Sequence, residues 1–185
     1  MRARVLILSL FVALSASAEE AGTASQTTGT GSQATSIKIG PTIAVLSGGL
    51  GYGTAGAVTF PVGTAGVHLG IEAGYYKWME TSENWPRGSV FTSLPILVTW
   101  TYKFTAKRLH PYFGLAAGVS FVKGTLGPNR DLNVPQTKPW VTALIRPGLE
   151  LAVDSAFSFF LETKAGMLGS SAFVFLPQMG MGINL

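Results

Sequence analysis

Few residues in this sequence are of the types that carry acid–base or metal chemistry. The chain has two histidines, His68 and His110, and no cysteine. A serine nucleophile needs a histidine within hydrogen-bond reach and an acid that orients it. His110 and Ser120 lie on one predicted strand, roughly 30 Å apart, so they cannot touch. No third ligand stands at a recognisable spacing from the histidines. We therefore expect no catalytic activity, no cofactor and no metal, and read the histidines as hydrogen-bonded or pH-sensitive interior groups.

The acidic and basic residues within the alternating segments share one side of those segments. The candidate polar network consists of Glu72, Arg146, Glu150, Glu162 and Lys164. Lys38 and Lys103 fall on the same side. Buried charges must pair to offset the cost of desolvation. Two interpretations stay open: a gate in which Arg146 exchanges partners between Glu72 and Glu162, or a polar core that rigidifies the fold.

The elements that would position these charges are strands. From Ser36 onward the large apolar residues recur with a period close to two, which is the strand period. The last segment shows the alternation best, with large apolar residues on one side at Phe173, Phe175, Met179, Met181, Ile183 and Leu185. Eight such segments occur, most of them long enough to cross a bilayer as tilted strands. An open sheet edge in lipid would leave backbone groups unpaired, so we expect the strands to close into a barrel.

The composition of the two faces decides which face meets lipid. One face is bulky and apolar in nearly every segment, whereas the other is rich in Gly, Ala, Ser and Thr. An eight-stranded barrel has an interior only just wide enough for side chains, so the bulky face must point outward. A soluble barrel would have the reverse arrangement. The sequence thus predicts an all-β fold: a closed antiparallel up-and-down transmembrane β-barrel of about eight strands, with long polar links near Met79–Gly88 and Gly124–Pro139.

Composition and the first residues agree with an exported membrane protein. Of the 185 residues, 47% are hydrophobic, 12% are charged and 23 are glycine. The sequence contains no dense run of basic residues of the kind that binds a nucleic acid. Residues 1–18 have the basic start, apolar stretch and Ala16-Ser17-Ala18 site of a signal peptide, and an uncleaved anchor is the alternative. Residues 19–35 form a predicted flexible linker, and residues 36–185 form the predicted barrel.

One run resembles a known family. His110-Pro-Tyr-Phe-Gly-Leu-Ala-Ala-Gly-Val-Ser-Phe121 is similar to the "PY-x-G-x-G-x-G" strand of the outer-membrane β-barrel domain family, with Ala116 at the place of the middle glycine. This family includes small barrels of the OmpX, OmpW and OmpA-transmembrane kind. The resemblance covers about residues 36–185. It implies a location in the bacterial outer membrane after export, with insertion by the barrel-assembly machinery.

The expected role is structural or interactive, without catalysis. The long loops are the places where binding would evolve, and their candidate contacts are Trp85, Arg87, Arg130 and Trp140. Expected partners are outer-membrane lipids and lipopolysaccharide, whose phosphates suit arginine and lysine. We expect a monomer that binds no nucleic acid. The alternatives are a narrow channel for small or apolar solutes and, from a different class, a membrane-embedded lipid-modifying enzyme.

Overall fold

A computed structural model describes residues 34–46, 49–63, 66–80, 89–104, 108–125, 133–170 and 172–185. The predicted signal peptide and all but the last two residues of the predicted linker lie outside the described residues. The loop residues Trp85, Arg87 and Arg130 also lie outside them, so the predictions on all of these stay predictions. None of the described residues forms a helix long and apolar enough to cross a membrane.

The described residues form eight strands in one closed sheet. The strands are β1 (Ser36–Leu46), β2 (Gly49–Pro61), β3 (Val67–Glu80), β4 (Val90–Lys103), β5 (Leu109–Thr125), β6 (Asn133–Ala152), β7 (Phe157–Leu168) and β8 (Ala172–Asn184). Each strand pairs antiparallel with the next, and β8 pairs with β1. This order is an up-and-down barrel, and it confirms the predicted fold class.

Exposure alternates residue by residue because successive side chains of a strand point to opposite faces. In β1 every second residue is buried from Ser36 to Leu46. The outward positions carry large apolar side chains, including Ile39, Ile43, Ile71, Val98, Leu161 and Met179. Val98 is 64% exposed, whereas its chain neighbours Leu97 and Thr99 are 1% and 0% exposed. Such an exterior is the reverse of a soluble protein, and it suits acyl chains.

Two ends of the barrel can be named from the connections. The loop end is the end at which β3 connects to β4 and β5 connects to β6. The terminal end is the opposite end, where Ser36 pairs with Asn184. At the terminal end the β6–β7 turn is closed by the Asp154 carboxylate, which accepts hydrogen bonds of 2.7 Å from the backbone N–H groups of Ala156 and Phe157. The β2–β3 turn has Gly63 at φ 64° and Gly66 at φ 89°, where a side chain is disfavoured.

The β5–β6 hairpin is longer than the sequence indicated. The link predicted near Gly124–Pro139 is shorter than expected, mainly at its second end, because β5 runs to Thr125 and β6 begins already at Asn133. Gly124 pairs with Val134 and Thr125 with Asn133, beyond a register shift after Val122. The residues there are polar and show no apolar period, which is why the sequence predicted a loop. A hairpin that leaves the bilayer has water on both faces, so its strands need no apolar alternation.

Candidate functional site

The middle of the barrel holds four ionised side chains, which we call the central ion cluster: Glu72 on β3, Arg146 on β6, and Glu162 and Lys164 on β7. Arg146 Nη2 lies 3.1 Å from Glu72 Oε2 and 2.9 Å from Glu162 Oε2. Lys164 Nζ lies 2.5 Å from Glu72 Oε1 and 3.4 Å from Glu162 Oε1. Each cation therefore contacts both carboxylates. All four side chains are at most 5% exposed, so their charges are balanced inside the protein.

Three further charges form the second group, which we call the terminal ion cluster: Lys38 on β1, Lys103 on β4 and Glu150 on β6. Lys38 Nζ and Lys103 Nζ lie 2.6 Å and 3.0 Å from the same oxygen, Glu150 Oε2. Lys38 Nζ also lies 4.3 Å from the ring centroid of Tyr112, an attractive cation–π distance. Glu150 thus belongs to a different cluster from the other four predicted network residues, and two cations share it.

Neutral side chains tie the central ion cluster to the barrel wall. The Tyr112 hydroxyl donates to Glu162 Oε2 at 3.1 Å. Gln178 on β8 accepts from Lys164 Nζ at 2.7 Å, and its amide donates to the backbone carbonyls of Gly40 and Ala55 at 3.1 and 3.0 Å. Tyr112 and Gln178 were not among the predicted site residues. Their register could have indicated them, since both stand on the inward face of their strands.

The loop-end half of the interior is largely apolar, although Ser93, Ser120 and Thr142 line its cavity, and this apolar half was not predicted from the sequence. Twelve buried residues form this apolar plug: Ala44, Leu46, Ala55, Tyr76, Trp78, Leu97, Ala116, Val122, Leu144, Leu168, Val174 and Leu176. Phe91, Trp140 and Ala172 pack against it. Trp78 is the largest fully buried side chain, at 1% exposure, and its ring centroid lies 5.8 Å from that of Tyr76.

Trp140 stands at a different place from the one expected. It was predicted as an external-loop contact, but it lies in β6 opposite Ser120 and packs against the apolar plug, half-buried. Trp140 lies in the strand because β6 begins earlier than predicted, so the alternation of inward and outward residues continues from Thr142 toward the loop end. Trp140 therefore occupies the same inward register as Leu144 and Arg146.

The interior leaves little free space. One cavity of about 10 Å³ lies within the apolar plug, and another of about 10 Å³ is lined by Lys38, Glu72, Arg146 and Glu162 among others. Either volume is close to the minimum for one water molecule. The inward side chains around both cavities are buried, among them Trp78 and Leu97 in the plug and Lys164 in the central ion cluster. The arrangement can hold and balance charge.

Of the residues considered for nucleophilic chemistry, His110 on β5 pairs with Glu150 on β6, whereas Ser120 lies ten residues further along β5. Ser120 Oγ is 2.7 Å from Thr142 Oγ1, a hydroxyl pair. His68 is 2% exposed, and its Nδ1 has no hydrogen-bond partner among the described residues; the buried Ser158 hydroxyl has none either. Within the described ranges no three His, Asp or Glu residues are grouped so as to hold a metal ion.

Comparison with known proteins points to the fold. No family model and no curated protein matches the sequence. Among solved structures, Neisserial surface protein A (NspA) has a TM-score of 0.62 and 10% identity over 82% of this chain and 97% of that one. Ail of Yersinia pestis has a TM-score of 0.54 and 13% identity, over 83% and 99%. The outer membrane enzyme PagL has a TM-score of 0.50 and 16% identity, over 80% and 99%.

These neighbours share the architecture of this chain at 10%, 13% and 16% sequence identity. The structural alignments cover nearly the whole length of each neighbour, so the likeness concerns the complete barrel and not a fragment of it. The chain therefore has the fold of the small eight-stranded barrels of bacterial outer membranes.

Proposed function

We propose that this chain resides in a bacterial outer membrane as a monomeric, non-catalytic barrel with a structural or surface-interaction role. The terminal end faces the periplasm, and the loop end faces outward. Two observations support this: the barrel wall exposes large apolar side chains all round, and the structural neighbours include outer-membrane barrels. Its partners are outer-membrane lipids and lipopolysaccharide, and it reaches them by signal-peptide export and the barrel-assembly machinery.

The observation that carries the proposed role is the filled interior. Trp78, Leu97 and Leu176, each at most 3% exposed, close the loop-end half, and the two ion clusters occupy the rest. A solute channel would need a wetted path through both halves. Interaction with other molecules is then left to the outer wall and to the loop end, as expected of a scaffold. PagL shows that this architecture can also carry an enzyme.

A channel is the second candidate, and one observation favours it. Arg146 and Lys164 each contact both Glu72 and Glu162, so partner exchange within the central ion cluster requires only small movements. The apolar plug opposes conduction unless it too moves. We therefore rank the channel second.

Two measurements test the proposal. Fractionation of cells should place the protein in the outer membrane, and the folded form should migrate faster than the boiled form in a gel. In planar bilayers the purified protein should give no stable single-channel currents. Recovery in the soluble fraction would overturn the membrane assignment, whereas reproducible unitary currents would replace the scaffold role with the channel.

A further inference from the structure

In the outward register of the described strands, charge occurs at two positions, Lys77 on β3 and Lys123 on β5; the exposed Lys138 on β6 pairs with the inward residue Val122 and belongs to the other face. Lys77 lies between Tyr76 and Trp78, which are 3% and 1% exposed and point inward, so Lys77 is in the outward register. Lys123 likewise lies between the buried residues Val122 and Gly124 and is exposed. Both side chains are cations, and both are near the loop end of their strands. Two like charges on an otherwise uncharged wall call for an explanation.

The two lysines belong to one row across three adjacent strands. Lys77 pairs with Thr92 on β4, and Thr92 pairs with Lys123. The Thr92 hydroxyl donates to the Lys123 backbone carbonyl at 3.4 Å. Two strand spacings separate the lysine backbones by roughly 10 Å, and long flexible stems allow both ammonium groups to reach one ligand. Tyr52 on β2, paired with Lys77 and 55% exposed, extends the row.

The surroundings of the row are those of a membrane interface. Two residues closer to the barrel middle, the same three strands carry Tyr75, Leu94 and Phe121, which are 47%, 46% and 39% exposed. These side chains offer an apolar surface for acyl chains directly next to the cations. Aromatic residues of this kind are enriched where the hydrocarbon meets the headgroups.

Among the described residues, the charges of the row have no counterpart. Neither Lys77 nor Lys123 forms an ion pair with another described residue. A lysine on a lipid-facing wall is costly unless its ammonium group reaches water or an anion. The anions available at this depth are the phosphates of the lipid headgroups, and ammonium–phosphate hydrogen bonds are among the strong, charge-assisted ones.

We propose that Lys77, Thr92 and Lys123 form a binding site for the phosphate group of a lipopolysaccharide molecule in the outer leaflet. Acyl chains of the same molecule would lie against Tyr75, Leu94 and Phe121. The inference rests on the membrane orientation proposed above, and it assigns the lipid contact to one side of the barrel. A free phosphate would use the lysines but would gain nothing from the apolar residues beside them. The combination therefore selects an acylated ligand with a phosphate monoester, whose two negative charges match the two ammonium groups better than the single charge of a phosphate diester does.

The test uses the full chain, refolded in detergent micelles with purified lipopolysaccharide, and native mass spectrometry to count bound lipid. The double variant Lys77→Gln/Lys123→Gln removes both charges. Lys77→Arg/Lys123→Arg keeps them, and Arg108→Gln removes an exposed charge near the terminal end. The double Gln variant loses two charge-assisted hydrogen bonds, so it should bind at least roughly tenfold more weakly. The Arg pair and Arg108→Gln should bind as wild type does.

Binding measurements with different ligands identify the source of the anion. Wild type should retain lipopolysaccharide better than its dephosphorylated form or phosphatidylglycerol, and inorganic phosphate at millimolar concentration should not displace it. Displacement by inorganic phosphate, equal retention of the dephosphorylated lipid or of phosphatidylglycerol, or unchanged binding by the double Gln variant would each overturn the site. Heat-modified gel mobility should be wild-type in all variants. That mobility separates the outcomes, because loss of it in the wild type itself would count against the proposed function and not against the site.

Discussion

At the scale of single residues, Arg146 has the most demanding position in the barrel. Its Nη2 lies near both Glu72 and Glu162, and the residue is 4% exposed. Lys164 contacts the same two carboxylates from the other side, so each anion of the central ion cluster has two cationic neighbours. Removal of one cation leaves two buried carboxylates with a single partner between them, and such a charge imbalance in a dry interior is expensive.

We expect Arg146→Ala to lower the free energy of unfolding by about 3–5 kcal/mol, because it leaves Glu72 and Glu162 undercompensated. Urea titration of the refolded protein in micelles measures this change, together with the temperature at which the gel mobility shift is lost.

Lys103→Gln is the matched control. Lys103 is 14% exposed, and Glu150 keeps Lys38 at 2.6 Å when Lys103 is neutralised. We expect a cost of only about 1 kcal/mol, since the remaining pair is intact and Lys103 is partly solvated. Equal costs for the two variants would mean that burial within the central ion cluster is not what makes Arg146 important.

At the scale of strands, small residues on the inner face allow neighbouring chains to approach closely. Gly118 on β5 faces Leu97 on β4. A Cβ atom at Gly118 would lie 2.9 Å from Leu97 Cα, too close for any two such atoms. The glycine is therefore needed for the approach of β4 and β5, because backbone atoms cannot move aside as a flexible side chain can.

We expect Gly118→Ala to destabilise the barrel by about 1–3 kcal/mol, as overpacking does. Gly56→Ala tests the specificity, since a Cβ there would meet only the Lys38 carbonyl oxygen, at 3.4 Å. That variant should stay within about 0.5 kcal/mol of wild type. The fraction refolded and the urea midpoint are the measurements. If Gly56→Ala were as harmful as Gly118→Ala, glycine would matter at both positions for a reason other than close approach.

The strands also show how much of the structure can be predicted from the sequence. Period-two alternation is enough to place Glu72, Arg146 and Glu162 on the inner face, because orientation depends only on position within one strand. Which charges meet depends on the stagger between strands that are distant in sequence, and no local pattern encodes it. Glu150 therefore joins Lys38 and Lys103 in place of the other four predicted network residues.

The apolar plug was missed for a related reason. Trp78 stands directly before the predicted link near Met79–Gly88, where an aromatic residue also suits a loop or a membrane interface. The strand continues to Glu80, and this continuation turns Trp78 inward beside Tyr76. Polar positions are easily assigned to the interior of a membrane barrel, whereas a large apolar residue fits either face until the register is known.

At the scale of the whole molecule, the exterior is a continuous apolar surface interrupted by the row that contains Lys77 and Lys123. The cost of a new charge on this surface should depend on depth, because water and headgroups are available only near the two ends. Val98 lies within β4 and is 64% exposed, whereas Val153 lies in the β6–β7 turn and is 55% exposed. These two valines therefore probe depth at similar exposure.

We expect Val98→Arg to cost about 2–4 kcal/mol on folding into lipid vesicles, and Val153→Arg about 0–1 kcal/mol. Equilibrium folding into vesicles, followed by tryptophan fluorescence, provides the comparison. In a soluble barrel both substitutions would be harmless, so two equally small costs would contradict the membrane-facing wall.

The β5–β6 hairpin gives the molecule a lopsided rim. β6 has 20 residues and β5 has 17, against 11 in β1 and 13 in β8 on the other side of the barrel. With the loop end outward, as proposed above, the described part of this ribbon extends further from the bilayer than β1 and β8 do, its backbone held by paired hydrogen bonds. A phage tail fibre, an antibody or a host receptor arriving at the cell would meet that ribbon first. Variation in its sequence would then change what the cell presents while the wall and the interior beneath it stay constant.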